Sequence, residues 1–266
     1  MGLGRMDAER SEALSKVPQV TFLFWVLKIL ATTLGETGGD AVTMSWLGET
    51  TDEATGYGYL IGTFIFGLIF VVAVLAQIKA KKFHPFLYWF TIVATTTLGT
   101  TLADLMTRTM GIGYAGVSAI LLFCVIGWLL FWRWSTGSIS ISTVNTPKVE
   151  IYYWVAIMFS QTLGTALGDW AADDAGLGYL GATALFGGAL LLVVALYFFT
   201  SVSRVLLFWA AFVLTRPLGA VLGDLLDKPI ESGGLALSRY TASLVILVLM
   251  IALILIFPQK AAEESH

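Results

Sequence analysis

The chain has 266 residues, 57% of them apolar and only 12% charged, with a net charge of −3 and a mean hydropathy of +0.83; soluble domains are about 25% charged, so this composition is that of a membrane protein. One cysteine, Cys124, and two histidines, His84 and His266, exclude an internal disulfide, a bis-histidine haem, a zinc hydrolase centre and a thiolate-bound soft metal, and no cofactor is expected. The basic residues form no long stripe, which argues against a nucleic-acid partner.

The first 17 residues are polar (Arg5, Asp7, Glu9, Arg10, Glu12, Lys16) and lack the short apolar region and small-residue cleavage site of a secretion signal, so the first helix is expected to be kept. Stretches of about 20 apolar residues, the length that crosses a bilayer core, then predict eight transmembrane helices. They fall at about 19–46, 57–78, 85–109, 113–134, 149–171, 178–199, 203–226 and 236–257. The chain therefore divides into an N-terminal segment (1–18), one transmembrane domain (19–257) and a short tail (258–266).

An internal repeat organises that domain. Trp25, Leu34-Gly35 and Asp40 recur as Trp89, Leu98-Gly99 and Asp104, as Trp154, Leu163-Gly164 and Asp169, and as Trp209, Leu218-Gly219 and Asp224. The spacing is W-x8-L-G-x4-D in every copy, and a small residue (Gly39, Ala103, Gly168, Gly223) precedes each aspartate. Each motif helix is followed by a turn and a second apolar helix, marked by Gly58-Tyr59, Gly113-Tyr114, Gly178-Tyr179 and Gly233-Gly234. The fold class is thus all-α: eight transmembrane helices in four helical-hairpin repeats (about 19–80, 84–135, 149–201 and 203–257), with pseudo-fourfold or pseudo-twofold symmetry. Two crossings per unit make the repeats parallel, about an axis along the membrane normal.

Ten of the fifteen basic residues (Arg5, Arg10, Lys16, Lys79, Lys81, Lys82, Arg133, Lys148, Arg204, Lys260) lie on the side of the termini and inter-repeat loops, against Arg108, Lys228 and Arg239 opposite. The positive-inside rule makes the first side cytoplasmic. With the Trp, Leu-Gly and Asp positions above, residues 20 to 257 resemble the uncharacterised bacterial integral membrane proteins built from four tandem two-helix repeats, each marked by a tryptophan. The resemblance implies this architecture and the bacterial inner membrane, and carries no activity with it.

Function is therefore read from the residues. Four aspartates inside helices are costly in lipid and normally face a bundle interior or a hydrated path; at helix C-terminal ends the dipole raises that cost further. Around them lie Thr33, Glu36 and Thr37, then Thr97, Thr100, Thr101 and Arg108, then Thr162, Thr165 and Asp173, on shared faces. The expected cation and proton site is drawn from Glu36, Asp40, Asp104, Asp169, Asp173 and Asp224, with Thr33, Thr97, Thr100, Thr162 and Thr165 along the path. Back-bonding within the helix is the alternative for any isolated threonine.

The repeats differ. Arg108 and Lys228, four positions after Asp104 and Asp224, are expected to neutralise them; repeats 1 and 3 lack such a base, so Glu36, Asp40 and Asp169 are the expected metal ligands, with Asp173 at the mouth. Close carboxylates do not all stay ionised unless a cation lies among them, which adds proton exchange to the chemistry. Arg216, where the other repeats have Thr32, Thr96 and Gln161, is either a fixed counter-ion or a donor to a carbonyl freed by Pro217. Lys28 is expected to snorkel to the cytoplasmic surface. The glycines form close-packing small-xxx-small motifs, and the tryptophans an interfacial belt.

These features point to a secondary transporter or channel for a small hard cation, most specifically proton-coupled export of a Mn2+-like divalent metal, rather than to an enzyme. An intramembrane aspartate-dependent enzyme and a non-transporting scaffold or sensor are the alternatives. The expected partners are the lipid bilayer and the cation, and a homodimer is compatible with the sequence.

Overall fold

The computed structural model of the chain describes residues 15–52 and 54–262. Arg5, Arg10 and the rest of the first 14 positions, Glu53, and the last four residues including His266 lie outside the described residues. Eight long helices follow in order: α1 (Phe22–Asp40), α2 (Tyr57–Lys79), α3 (Pro85–Asp104), α4 (Tyr114–Thr136), α5 (Pro147–Asp169), α6 (Gly178–Phe199), α7 (Arg204–Asp227) and α8 (Arg239–Ile256). A π-helical turn extends α1, α3 and α5 beyond the aspartate, at Ala41–Trp46, Leu105–Thr109 and Trp170–Asp174. The turns before α4 and α6 need φ values of +77° at Gly113 and +62° at Gly178, which only glycine adopts freely.

The odd-numbered helices form a closed inner ring, in which α1 packs on α3, α3 on α5, α5 on α7, and α7 back on α1. Each even-numbered helix seats on the first helix of the next repeat: α2 on α3, α4 on α5, α6 on α7, and α8 on α1. The hairpins are therefore splayed, and every outer helix bridges two repeats. Six of the helices, all but α1 and α5, are long and apolar enough to cross a membrane. The outer ones present apolar side chains such as Phe64, Phe123, Leu191 and Leu255 outward, 66–78% exposed, as a lipid-facing surface does.

The ring closes because glycine lets the backbones meet. A Cβ on Gly35 would lie 2.0 Å from Thr96 Oγ1, one on Gly99 2.9 Å from the Gln161 carbonyl carbon, one on Gly164 2.2 Å from Arg216 Cγ, and one on Gly219 2.1 Å from Thr32 Oγ1. The motif glycine of each repeat thus receives the same position of the next repeat, and the fourth receives the first. Hydroxyls add bonds across the seams: Thr96 donates to the Ala31 carbonyl at 3.1 Å and Thr32 to the Thr215 carbonyl at 3.2 Å.

The first and last described segments meet at one end of the bundle, called here the terminal end. Gln19 N–H donates to the Lys260 carbonyl and Ala262 N–H to that of Val17, each at 2.9 Å. Buried Lys16 reaches Glu150 at 2.7 Å. An aromatic layer closes the ring just above. The residue before each motif tryptophan contacts the tryptophan of the next repeat: Phe24 with Trp89 at 5.6 Å, Tyr88 with Trp154 at 5.8 Å, Tyr153 with Trp209 at 6.2 Å and Phe208 with Trp25 at 5.8 Å. The tryptophans are thus not a lipid-interface belt. Trp89, Trp154 and Trp209 are buried because the ring turns their helix face inward. Lys28 does not snorkel either: it is wholly buried, its ammonium 4.2 Å from the Phe212 ring centre, since its face of α1 looks into the ring.

Two glycine substitutions separate close packing from helix propensity. Gly164→Val should destabilise the detergent-solubilised protein by about 1–3 kcal/mol or more, as overpacking does. Gly187→Val, at a site with nothing within 4 Å of the new Cβ, should leave thermal unfolding nearly unchanged. Equal effects would show that the seams do not depend on the glycines.

Candidate functional site

Side chains one turn apart on the four inner helices stack as successive layers along the axis, roughly 6 Å between layers at 1.5 Å per residue. From the terminal end they are Thr32, Thr96, Gln161 and Arg216; then Glu36, Thr100, Thr165 and Ala220; then Asp40, Asp104, Asp169 and Asp224; and last Met44, Arg108, Asp173 and Lys228.

Arg216 organises the first two layers. Its guanidinium is wholly buried, and Nη2 donates to Glu36 Oε2 at 2.9 Å, to Thr100 Oγ1 at 2.7 Å and to Thr165 Oγ1. Thr100 in turn donates to the Gly35 carbonyl at 3.1 Å. One cation therefore ties α7 to α1, α3 and α5. Arg216 thus ion-pairs with Glu36 of repeat 1, and its carbonyl contact among the described residues, at 3.4 Å, is to Thr32 of another helix rather than to a carbonyl of its own helix freed by Pro217. Glu36 is accordingly not the unpaired acid expected from repeat 1 alone, because its base arrives from repeat 4.

In the aspartate layer, Arg108 reaches Asp104 at 2.7 Å and Lys228 reaches Asp224 at 2.9 Å. Lys228 also reaches Asp40, at 2.6 Å. Asp40 was expected to lack a base; ring closure between repeats 4 and 1 supplies one. The Asp169 side chain alone among the four makes no hydrogen bond or ion pair among the described residues, although the residue is only 5% exposed.

The carboxylates gather into two groups. One oxygen each of Glu36, Asp169 and Asp224 lies within 4.8 Å of the others, and so does one each of Asp40, Asp224 and Asp227. The expected ligand set of Glu36, Asp40 and Asp169 is thus divided: Lys228 draws Asp40 toward the end opposite the termini, and Asp224 takes its place beside Glu36 and Asp169. Among the threonines, Thr100 and Thr165 face the axis. Thr33, Thr97 and Thr162 donate back to carbonyls four residues earlier, at 2.9–3.0 Å, so their hydroxyls serve their own helices.

A cavity of about 650 Å³ lies at the end opposite the termini, lined by Met44, Arg108, Asp173, Asp224, Asp227 and Lys228 among others. Asp173 thus sits at a mouth. Asp227 was not among the acids expected at the site; its position three residues after Asp224, on the same helix face, is the signal that would have found it. Arg239 of α8 holds it at 3.1 Å. Lys228, just past the end of α7, is opposed in its charge by burial, but Asp224, Asp40 and Asp227 outweigh that and raise its pKa well above the ordinary lysine value.

The Arg216 network carries a stability prediction. Arg216→Met strands Glu36 without a base and should cost about 3–5 kcal/mol, as breaking a buried pair does. The double variant Arg216→Met/Glu36→Leu should recover most of it in thermal unfolding. A single variant as stable as the parent would show that the pair does not hold the ring.

No curated protein and no solved structure matches the chain. A family described as Repeat of Unknown Function (DUF347) matches residues 23–83, 87–138, 152–203 and 207–258, each stretch covering one pair of an inner and an outer helix. The chain is a membrane protein of four tandem repeats and belongs to this DUF347 repeat family.

Proposed function

We propose that the protein is a secondary transporter of a small hard cation, most specifically a proton-coupled exporter of a divalent metal resembling Mn2+, with the path along the axis of the inner ring. The observation that carries this reading is the buried trio Glu36, Asp169 and Asp224, three carboxylates with one oxygen each within 4.8 Å of the others and only one of which, Asp169, has no basic partner. Oxygen-only ligands favour a hard ion. A cation there would relieve repulsion among the acids, and protons would compete with it for the same oxygens.

The rest of the axis supports a carrier over an open pore. The cavity reaches the aspartate layer from one end, while the aromatic layer and the paired segments 17–19 and 260–262 close the other, as in one state of an alternating-access cycle. By the distribution of basic residues the closed end faces the cytoplasm of a bacterial inner membrane. Export would then end with release into the cavity.

A second reading has one observation in its favour: Asp169 and Asp224 are close enough to act as an intramembrane acid pair. Against it, Lys228 holds Asp224 at 2.9 Å, which leaves little freedom to share a proton with Asp169.

Proteoliposomes loaded with a Mn2+-sensitive dye test the proposal. Flux should fall as the pH drops, because protonation empties the site, and should respond to an imposed proton gradient. Asp169→Asn should remain folded and lower flux by roughly 10- to 100-fold, the equivalent of a charged ligand contributing about 1.5–3 kcal/mol. Thr162→Val, which removes only a back-bond, should transport normally. Normal flux in Asp169→Asn would reject the proposal, and cleavage of a membrane peptide abolished by the same variant would favour the acid pair.

A further inference from the structure

The second carboxylate group, Asp40, Asp224 and Asp227, already holds a cation, and that cation belongs to the protein. Lys228 Nζ lies 2.6 Å from Asp40 Oδ2 and 2.9 Å from Asp224 Oδ1, with the Met44 sulfur at 3.7 Å. Two features mark the group as more than an ion-pair cluster. Asp40 Oδ1 and Asp227 Oδ1 are buried and make no hydrogen bond, although uncompensated buried oxygens are costly. Formally, three carboxylates also face only two bases, Lys228 and Arg239, so one negative charge is left over.

Lys228 is also placed to leave. Its backbone is fixed: its carbonyl accepts from Ala236 N–H at 2.9 Å, and Gly234 packs so closely that a Cβ there would lie 2.1 Å from the same oxygen. Its side chain is not fixed in this way. It lines the 650 Å³ cavity, so rotation about its own bonds carries the ammonium out of the carboxylates without moving the helix. Arg108, at the same position in repeat 2, lines that cavity too.

We infer that Asp40, Asp224, Asp227 and the Met44 thioether form a second divalent-cation site at the mouth of the path, and that the Lys228 ammonium is a tethered competitor which occupies it until a metal displaces it into the cavity. The inference rests on the transport reading for its purpose, since Asp224 belongs to both carboxylate groups and links the mouth to the Glu36–Asp169 site. The three carboxylates supply the hard oxygen ligands that suit a divalent ion such as Mn2+, and the thioether beside them admits a softer transition metal as well. With Lys228 in place the site is closed to metal, and the metal's arrival or departure sets the position of the lysine.

The test uses the purified full chain in detergent with Mn2+ alone as the probe. Binding is followed by the loss of the free Mn2+ electron paramagnetic resonance signal, and the reactivity of Lys228 by reductive methylation and mass spectrometry. Lys228→Met should bind Mn2+ at least about tenfold more tightly than the parent, and Asp40→Asn in that background should remove the gain. In the parent protein, saturating Mn2+ should speed methylation of Lys228 several-fold while leaving the exposed Lys81 and Lys82 unchanged. Unaltered Lys228 methylation, or no tighter binding in a folded Lys228→Met protein, overturns the inference. If Lys228→Met does not fold, the methylation result in the parent decides alone. Failure here would leave the dependence of flux on Asp169 untouched, so the two readings fall separately.

Discussion

Everything in this protein depends on how closely four helices approach one another. A helix carrying Gly35, Gly99, Gly164 or Gly219 presents a groove one side chain deep, and the following repeat fills it with Thr96, Gln161, Arg216 or Thr32. Because the rule is cyclic, seating one pair fixes the rotation of the next, and four such steps return to the start. That rotation brings the aspartates to one level and the tryptophans to another. Without the glycine contacts the acids would have no reason to converge, and a helix bearing both Glu36 and Asp40 would be a poor choice for the interior of a bilayer.

Within the ring, chemistry changes steadily along the axis. Aromatic rings pack against one another at the terminal end, followed by Lys28 over Phe212, the Arg216 network, the aspartates, and finally Lys228 and Arg108 at the edge of the cavity. Burial of so many ionisable groups is tolerable because most are joined in ion pairs, within one repeat for Asp104, Asp224 and Asp227 and across repeats for Glu36 and Asp40. Arg216 with Glu36 and Lys228 with Asp40 both join repeat 4 to repeat 1, at the seam where the chain closes on itself. That seam has no loop connecting it, and the charges do there what chain connectivity does at the other three.

Much of this was legible in the residues. The W-x8-L-G-x4-D repeat fixes the number of helices and their shared orientation, because its parts are short-range and identical in kind. The pairs Asp104–Arg108 and Asp224–Lys228 were readable for the same reason: both partners sit one turn apart on one helix. What escaped was everything decided between repeats. Lys228 reaches Asp40 from 188 positions away in sequence, and no spacing rule spans that gap. Lys28 near a helix end looked like a snorkelling residue, and only the direction of its face shows otherwise. The aromatic before each tryptophan was visible at positions 24, 88, 153 and 208, but its significance emerges when each ring meets the tryptophan of a different repeat.

The bridging of each outer helix onto the next repeat has an evolutionary consequence. Every repeat offers a donor edge and an acceptor edge that do not match each other but match those of its neighbours, the arrangement that in separate chains produces a closed cyclic assembly. One repeat alone would leave its outer helix without a seat, whereas four identical copies, or two copies of a double repeat, would complete the circle. Identical subunits, however, must place the same side chain four times at each level. Only a fused chain can set Glu36, Thr100, Thr165 and Ala220 at one height around a single arginine, so the gain from fusion is an asymmetric interior inside a symmetric wall.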